Sequence, residues 1–324
     1  MSEVVTFGEA MLRLSPPGHQ RLEHARTLEV WPAGAELNVA VGLARLGTST
    51  AWVSRLPENP LGRLVAAHAR SAGVNVDRVL WSDAERLGLY FVEVGAPPRP
   101  SAAHYDRAGS AFATLDPDAF DWPALLAGAR AFHTSGITAA LSEACARATL
   151  DALAAARAAG CHTSYDLNFR SRLAPPERWR ERAEAVAGSV DLVLTSTEDA
   201  ERVFGARGEP GEIAEELRQR LGVERVVLSW RVAENGRQRR LSVATGIDLE
   251  TVASPPFHTV DPVGGGDAFC AGFLHGLLRD GLRRGLELGG AAAALKQSIP
   301  GDAPLLDAGE VEGLLTHATP SMAR

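Results

Sequence analysis

Short apolar runs at Val4–Phe7, Ala51–Ser54, Arg130–His133, His162–Leu167, Leu192–Thr195 and Val226–Ser229 alternate with helix-patterned segments at about 37–46, 61–72, 142–159, 178–187 and 212–221. A strand whose neighbour in sequence is a helix pairs most readily in parallel, because only a crossover returns the chain to the same sheet edge. The alternation therefore predicts an α/β fold with a mostly parallel sheet between two helical layers. Segment 142–159 carries the fullest helix signature: Ser142 stands at the N-cap, Glu143 in the first turn, Ala and Leu fill the interior and Gly160 ends it. Two stretches, 12–30 and 87–94, show strand-like patterns with no helix between them and predict an inserted β-structured element.

The chain of 324 residues is long enough for one large α/β domain over 1–324, and no linker or repeat divides it. No apolar run reaches the roughly 18 residues of a membrane span, and the start Met1–Gly8 has neither a basic region nor an apolar core, so a cytoplasmic protein is expected. The formal charge of −7 argues against a nucleic-acid surface and leaves any anionic ligand to a few local arginines. Cys145, Cys161 and Cys270 are far apart and read as buried thiols. His104, His133, His258 and His275 lack metal-ligand spacing, and the basic run 237–240 reads as a solvated hairpin. Neither a Gly-x-x-x-x-Gly-Lys-Ser/Thr loop nor a Gly-x-Gly-x-x-Gly turn follows the first strand, which disfavours Walker-type ATPases and dinucleotide enzymes.

The run Asp261-Pro262-Val263-Gly264-Gly265-Gly266-Asp267 leads directly into the apolar Ala268–Leu274. Glycines let backbone N–H groups approach a ligand, and a helix start adds unpaired donors and the positive end of the dipole, so the segment suits an anion. Asp267 cannot attract a phosphate itself. It is either a base that takes a proton from an attacking hydroxyl or a first-turn residue that stabilises the dipole, and the run alone supports both equally.

Asp-x-x-Gly-x-Gly-Asp-Ala-Phe late in the chain resembles the C-terminal signature of the ribokinase-like sugar kinases, the PfkB family, with Gly265 where Ala is usual. The resemblance extends from Gly34 to Asp302 and implies a ribokinase-like three-layer α/β/α fold with a small β-sheet lid from about 12–33 and 87–110. It implies that Asp267 is the catalytic base, with Gly264, Gly265 and Gly266 holding the phosphate. Gly34 and Asn38 match a Gly-Gly-x-x-x-Asn-x-Ala pattern that contacts sugar hydroxyls, while Ala33 departs from it.

Gly88-Leu89-Tyr90, Tyr105-Asp106-Arg107-Ala108-Gly109-Ser110-Ala111 and Asp166-Leu167-Asn168-Phe169-Arg170 resemble the family's 2-keto-3-deoxygluconate kinases. Tyr90, Tyr105, Arg107 and Arg170 would then meet the acid substrate, and an arginine fork suits a carboxylate. Asp106 stands where that subgroup has Tyr and could pair with Arg107. Pro300-Gly301-Asp302 offers Asp302 to a substrate hydroxyl. On the nucleotide side the resemblance implies Asn168, Ser196, Ser229, Arg231, Gly264 and Gly266, and an indirect contact of Asp199 with Mg²⁺. Ser196 or Thr197 serves equally well as a helix cap. After Val226–Leu228 the family's glycine loop is missing in frame, and Ser229–Gly236 looks a residue or two longer.

The expectation is an ATP- and Mg²⁺-dependent kinase that phosphorylates a sugar acid, 2-keto-3-deoxygluconate at its 6-hydroxyl, and forms a homo-oligomer, the exposed face of a lid sheet being a common place for such kinases to pair. The alternatives left open are a neutral ketose or pentose kinase for fructose or ribose, and a sugar-acid-binding homologue without turnover.

Overall fold

The computed structural model of the chain describes residues 2–96, 98–234, 236–245 and 251–316. Its strands, in chain order, are β1 (Val4–Phe7), β2 (Met11–Ser15), β3 (Glu29–Ala33), β4 (Thr50–Pro57), β5 (Val79–Ser82), β6 (Gly88–Glu93), β7 (Ala102–Asp106), β8 (Ala131–Ser135), β9 (His162–Asp166), β10 (Leu192–Ser196), β11 (Arg225–Glu234), β12 (Arg237–Ala244) and β13 (Val252–Ala253). Among the described residues a nine-stranded sheet runs β13-β12-β11-β10-β9-β8-β1-β4-β5. It is parallel from β11 to β5 and antiparallel at β12 and β13. Every apolar run singled out from sequence is one of its strands, and every helix-patterned segment is a helix.

Alternation along the strands divides the core in two. Val193, Val226 and Leu228 pack with Phe7, Leu153, Trp179 and Leu217, under the helices Glu143–Ala158, Pro176–Val186 and Pro210–Leu221. Leu192, Leu194 and Val227 pack on the other face with Val4, Leu43, Phe273 and Leu286, under Ala35–Arg45, Gly265–Asp280 and Leu282–Lys296. Trp52 and Trp179 are fully buried, and truncating either to Ala would cost about 3–5 kcal/mol. The helix Glu143–Ala158 is capped as expected, Ser142 Oγ accepting from the Cys145 N–H at 3.1 Å. The three cysteines are buried free thiols, and no helix of the described residues is long and apolar enough to cross a membrane.

A second sheet, β3-β2-β6-β7, stands apart from the first, with β2 and β6 parallel and its other pairs antiparallel. Tyr90 and Tyr105 are direct cross-strand partners, and their rings stack at 5.5 Å with 13° between planes.

The segment after Leu228 departs from the expected loop. β11 continues to Glu234 and pairs with β12 from Val227↔Ala244 to Glu234↔Arg237. Without glycines to break it, Trp230 and Val232 carry the strand onward, and β12 brings the basic run 237–240 back beside it.

Candidate active site

The turn before the helix Gly265–Asp280 is held from beneath. Asp261 accepts from the Val263 N–H at 3.1 Å and the Gly301 N–H at 3.0 Å, and pairs with Arg13 of β2 at 2.8 Å. The same guanidinium reaches Asp302 at 2.8 Å and, through Nε, Ser15 at 2.8 Å. Gly264 sits at φ 80°, and a Cβ there would lie 2.0 Å from the Asp302 carbonyl oxygen, so only glycine fits. Behind it the buried Lys296 donates to the Ile299 carbonyl at 2.9 Å. The Gly264 carbonyl accepts from Ala268 at 2.9 Å and starts the helix. The N–H groups of Gly265, Gly266 and Asp267 therefore lack helical partners, and Gly266 faces open space.

Asp267, in that first turn, accepts from Asn38 Nδ2 at 2.6 Å. Asn38 is buried in the helix Ala35–Arg45, and its Oδ1 has no partner. Gly34 precedes that helix with its Cα pressed on β1's exit, where a Cβ would meet the Glu9 carbonyl at 2.3 Å. Burial raises the Asp267 carboxyl to about 7, against the lowering effects of the Asn38 bond and the Arg170 charge. Asp166, at the end of β9, is likewise raised to about 7 by burial and by the negative charges of Asp267 and Asp199. It receives the Cys270 thiol at 3.6 Å.

Toward the small sheet, Arg107 donates through Nε to Glu9 at 2.8 Å, and Ser110 also bonds Glu9. Asp106 instead pairs with Arg86 at 2.6 Å while Arg107 turns to Glu9, so the Asp106–Arg107 pair that the sequence allowed does not form. Arg107 also lies 5.9 Å from the Tyr105 ring centre. The Tyr90 hydroxyl donates to Asp302, which together with Arg13 occupies both oxygens of that carboxylate.

On the opposite side the ends of parallel strands converge, as they do at ligand sites of open α/β sheets. Asn168 takes φ 47°, one of the few side chains that tolerates it. Arg170 donates to the Phe169 carbonyl at 3.0 Å, forms no ion pair among the described residues, and acts electrostatically on Asp166, Asp199 and Asp267 together. Ser196 caps the helix Thr197–Phe204, accepting from the Asp199 N–H at 3.1 Å, while Asp199 accepts from the Phe169 N–H at 3.2 Å. Ser229 accepts from Arg240 at 2.8 Å. Arg231 and Arg240 face each other across the hairpin.

One cavity of about 790 Å³ is lined by all the residues that sequence singled out, from Gly34 and Asn38 through Tyr90, Tyr105, Arg107, Asn168, Arg170, Ser196, Asp199, Ser229 and Arg231 to Gly264–Asp267 and Asp302. Glu9, Asp166 and Arg240 line it too: the sequence marks Asp166 only as part of the Asp-x-Asn-x-Arg run, without a role, and does not mark the other two as site residues. The run 237–240 does form a hairpin, but Arg240 points into the cavity rather than to solvent. Arg13 was missed as well, although an arginine inside the apolar run Met11–Leu14 is a signal of a buried ion pair.

Residues 1–307 match the family described as pfkB family carbohydrate kinase. The chain is 41% identical over 319 residues to a 2-dehydro-3-deoxygalactonokinase of Haloferax volcanii, covering 97% of this chain and 96% of that one. It is 30% identical over 309 residues to a 2-dehydro-3-deoxygluconokinase of Bacillus subtilis, covering 93% and 91%. The crystal structure of 2-dehydro-3-deoxygluconokinase from Thermotoga maritima superposes with a TM-score of 0.88 at 37% identity, covering 98% of each chain. Together with the nine-stranded sheet and the small second sheet, these matches place the chain in the pfkB family of carbohydrate kinases.

Proposed function

We propose that the protein transfers the γ-phosphoryl group of ATP to the 6-hydroxyl of a 2-keto-3-deoxyhexonate, 2-keto-3-deoxygluconate in the first instance. The observation that carries this reading is the position of Asp267. Oriented by Asn38, it stands at an open helix start, between a cavity end under the small sheet and an end walled by β11 and β12.

Asp267 takes the proton of the 6-hydroxyl as its oxygen bonds to the γ-phosphorus and the bond to the ADP oxygen breaks. A carboxyl near 7 is half ionised at neutral pH and well matched to that proton. The N–H groups of Gly264, Gly265, Gly266 and Asp267 face the phosphoryl oxygens, where one such donor contributes about 10²–10³ in rate. The unpartnered Asn38 Oδ1 accepts from a sugar hydroxyl beside Gly34, and the stacked Tyr90 and Tyr105 rings close the apolar side. Arg107, whose Nη1 is not engaged by Glu9, and Arg170 supply positive charge for the substrate carboxylate and the transferring group. Asp302 holds Tyr90 in place and lines the same end.

Asn168, Ser196, Ser229 and Arg231 line the end assigned to ATP. Among the described residues no three His, Cys, Asp or Glu side chains are close enough to bind a metal ion directly. The residues nonetheless fit Mg²⁺: Asp166 and Asp199 are hard oxygen donors whose charges repel, and they would hold it through water beside the phosphates. When bound, Mg²⁺ neutralises phosphate charge. An ATP-consuming kinase is in keeping with the cytoplasmic setting expected from the sequence. The exposed face of the small sheet, where Val30 is 48% exposed beside Leu28, is the surface on which a second copy would pair.

ADP release with Mg-ATP and 2-keto-3-deoxygluconate, its C4 epimer, fructose, ribose and no sugar tests this reading. Turnover confined to the keto acids supports it, and equal rates with fructose or ribose would overturn the sugar-acid assignment.

A further inference from the structure

Arg240 is a buried cation of the cavity that the proposed function leaves without a task. Its Nη1 donates to Ser229 Oγ at 2.8 Å and its guanidinium lies 5.7 Å from the centre of the Phe269 ring. Its Nε is sealed from solvent and has no hydrogen-bond partner. Among the described residues no carboxylate is ion-paired with it; Asp166 acts on it only at longer range. Burial and the neighbouring Arg231 together push its pKa down to about 10, the mark of a cation held where positive charge is costly.

Arg231 and Arg240 are direct partners in the antiparallel β11–β12 pair, so both side chains leave the same face of the hairpin, and both line the cavity. Like charges directly opposite each other destabilise a sheet. Two facing arginines, one with a buried unsatisfied donor, make sense where an anion sits between them. The hairpin occupies the segment after Leu228 that the sequence marked as lacking glycines in frame.

We propose that Arg240, with Arg231, forms a two-arginine clamp that binds the polyphosphate of the nucleotide at that end of the cavity. The proposal deepens the kinase reading and rests on it for the identity of the ligand, while the anion site itself can be probed separately. The guanidinium planes offer bidentate hydrogen bonds that lysine cannot reproduce. Ser229 and the Phe269 ring act as positioning groups that fix the Arg240 side chain.

Calorimetric titration of the full chain with Mg-ATP, adenosine and inorganic tripolyphosphate tests it, comparing wild type with Arg240→Gln, Arg240→Lys and Ser229→Ala. Arg240→Gln keeps an amide for Ser229 and is expected to weaken Mg-ATP and tripolyphosphate by about 10–100-fold while leaving adenosine and sugar-acid affinities within about 2-fold. Arg240→Lys should recover part of the loss, and Ser229→Ala should weaken the polyphosphates by a few-fold without removing the arginine. Unchanged Mg-ATP affinity in Arg240→Gln, or an equal loss for adenosine, overturns the clamp and leaves the kinase assignment standing. If wild type binds tripolyphosphate but not Mg-ATP, and Arg240→Gln binds neither, the nucleotide assignment fails while the anion site stands. Should Arg240→Gln fail to fold, Ser229→Ala decides: no polyphosphate-selective loss there overturns the proposal.

Discussion

Asn38 Nδ2 donates to Asp267 Oδ2 at 2.6 Å across 229 residues of sequence, joining the helix Ala35–Arg45 to the first turn of Gly265–Asp280. The bond leaves Asp267's other oxygen for the cavity and favours the ionised carboxylate. Asn38→Ala should lower kcat by about 10–100-fold through lost orientation. It should also move the acidic limb of the kcat/KM profile to higher pH, because the interaction it removes lowers the Asp267 pKa. An unshifted limb would separate Asn38 from the base.

For the unaltered protein, a base must be ionised to act, so kcat/KM should rise as pH increases through about 7. Asp166, raised to about 7 by burial and by Asp267 itself, titrates with it, and the limb reports the pair rather than one residue. A limb near pH 4 would mean that the cavity does not desolvate these carboxyls.

The same groups tie stability to pH. Asp267 is raised from its ordinary 3.8 to about 7 in the folded chain, so the folded state holds a proton that the unfolded state has lost, and stability falls as pH rises from about 4 to about 7. Asp267→Asn and Asp166→Asn should therefore raise Tm at pH 8 more than at pH 5. A gain of the opposite pH dependence would contradict the assignment.

Gly265 stands where the family usually has Ala, and Gln297 is the side chain that an Ala there would meet. A Cβ on Gly265 would meet Gln297 Nε2 at 2.3 Å, while Gln297 Oε1 accepts from Thr259 Oγ1 at 3.0 Å. Gly265→Ala alone should destabilise the turn and reduce kcat, and Gln297→Ala in the same chain should restore much of both. The melting temperatures of the four proteins form a double-mutant cycle in which a coupling of about 0.5–3 kcal/mol is expected.

Arg13 is 2% exposed and pairs with both Asp261 and Asp302. Arg13→Ala would leave two buried carboxylates facing each other and should cost about 3–5 kcal/mol of stability, read by chemical denaturation.

Much of this was legible in the sequence because it rests on local signals. Apolar runs marked six of the seven strands of the parallel part of the sheet, all but β5, Ser142 and Gly160 marked a helix's ends, and Gly264–Asp267 marked an anion-binding turn. What was not legible depends on pairing register and on distant partners. The polar run 237–240 looks solvated until β11 is seen to extend past Ser229, which turns Arg240 inward opposite Arg231. Glu9 shares Arg107's charge, and Asp302 is engaged by Arg13 and Tyr90, through contacts that span from 98 to 289 residues. No local pattern announces such partners.

The most direct test of the central claim is ADP formation by wild type and Asp267→Asn with Mg-ATP and 2-keto-3-deoxygluconate, beside calorimetric binding of the sugar acid to both. Keto-acid-dependent turnover is expected in wild type, with its loss by at least about 10³-fold in Asp267→Asn and sugar-acid affinity kept within about 3-fold. Asp267→Asn turning over at more than about a tenth of the wild-type rate would contradict the assignment of Asp267 as the base.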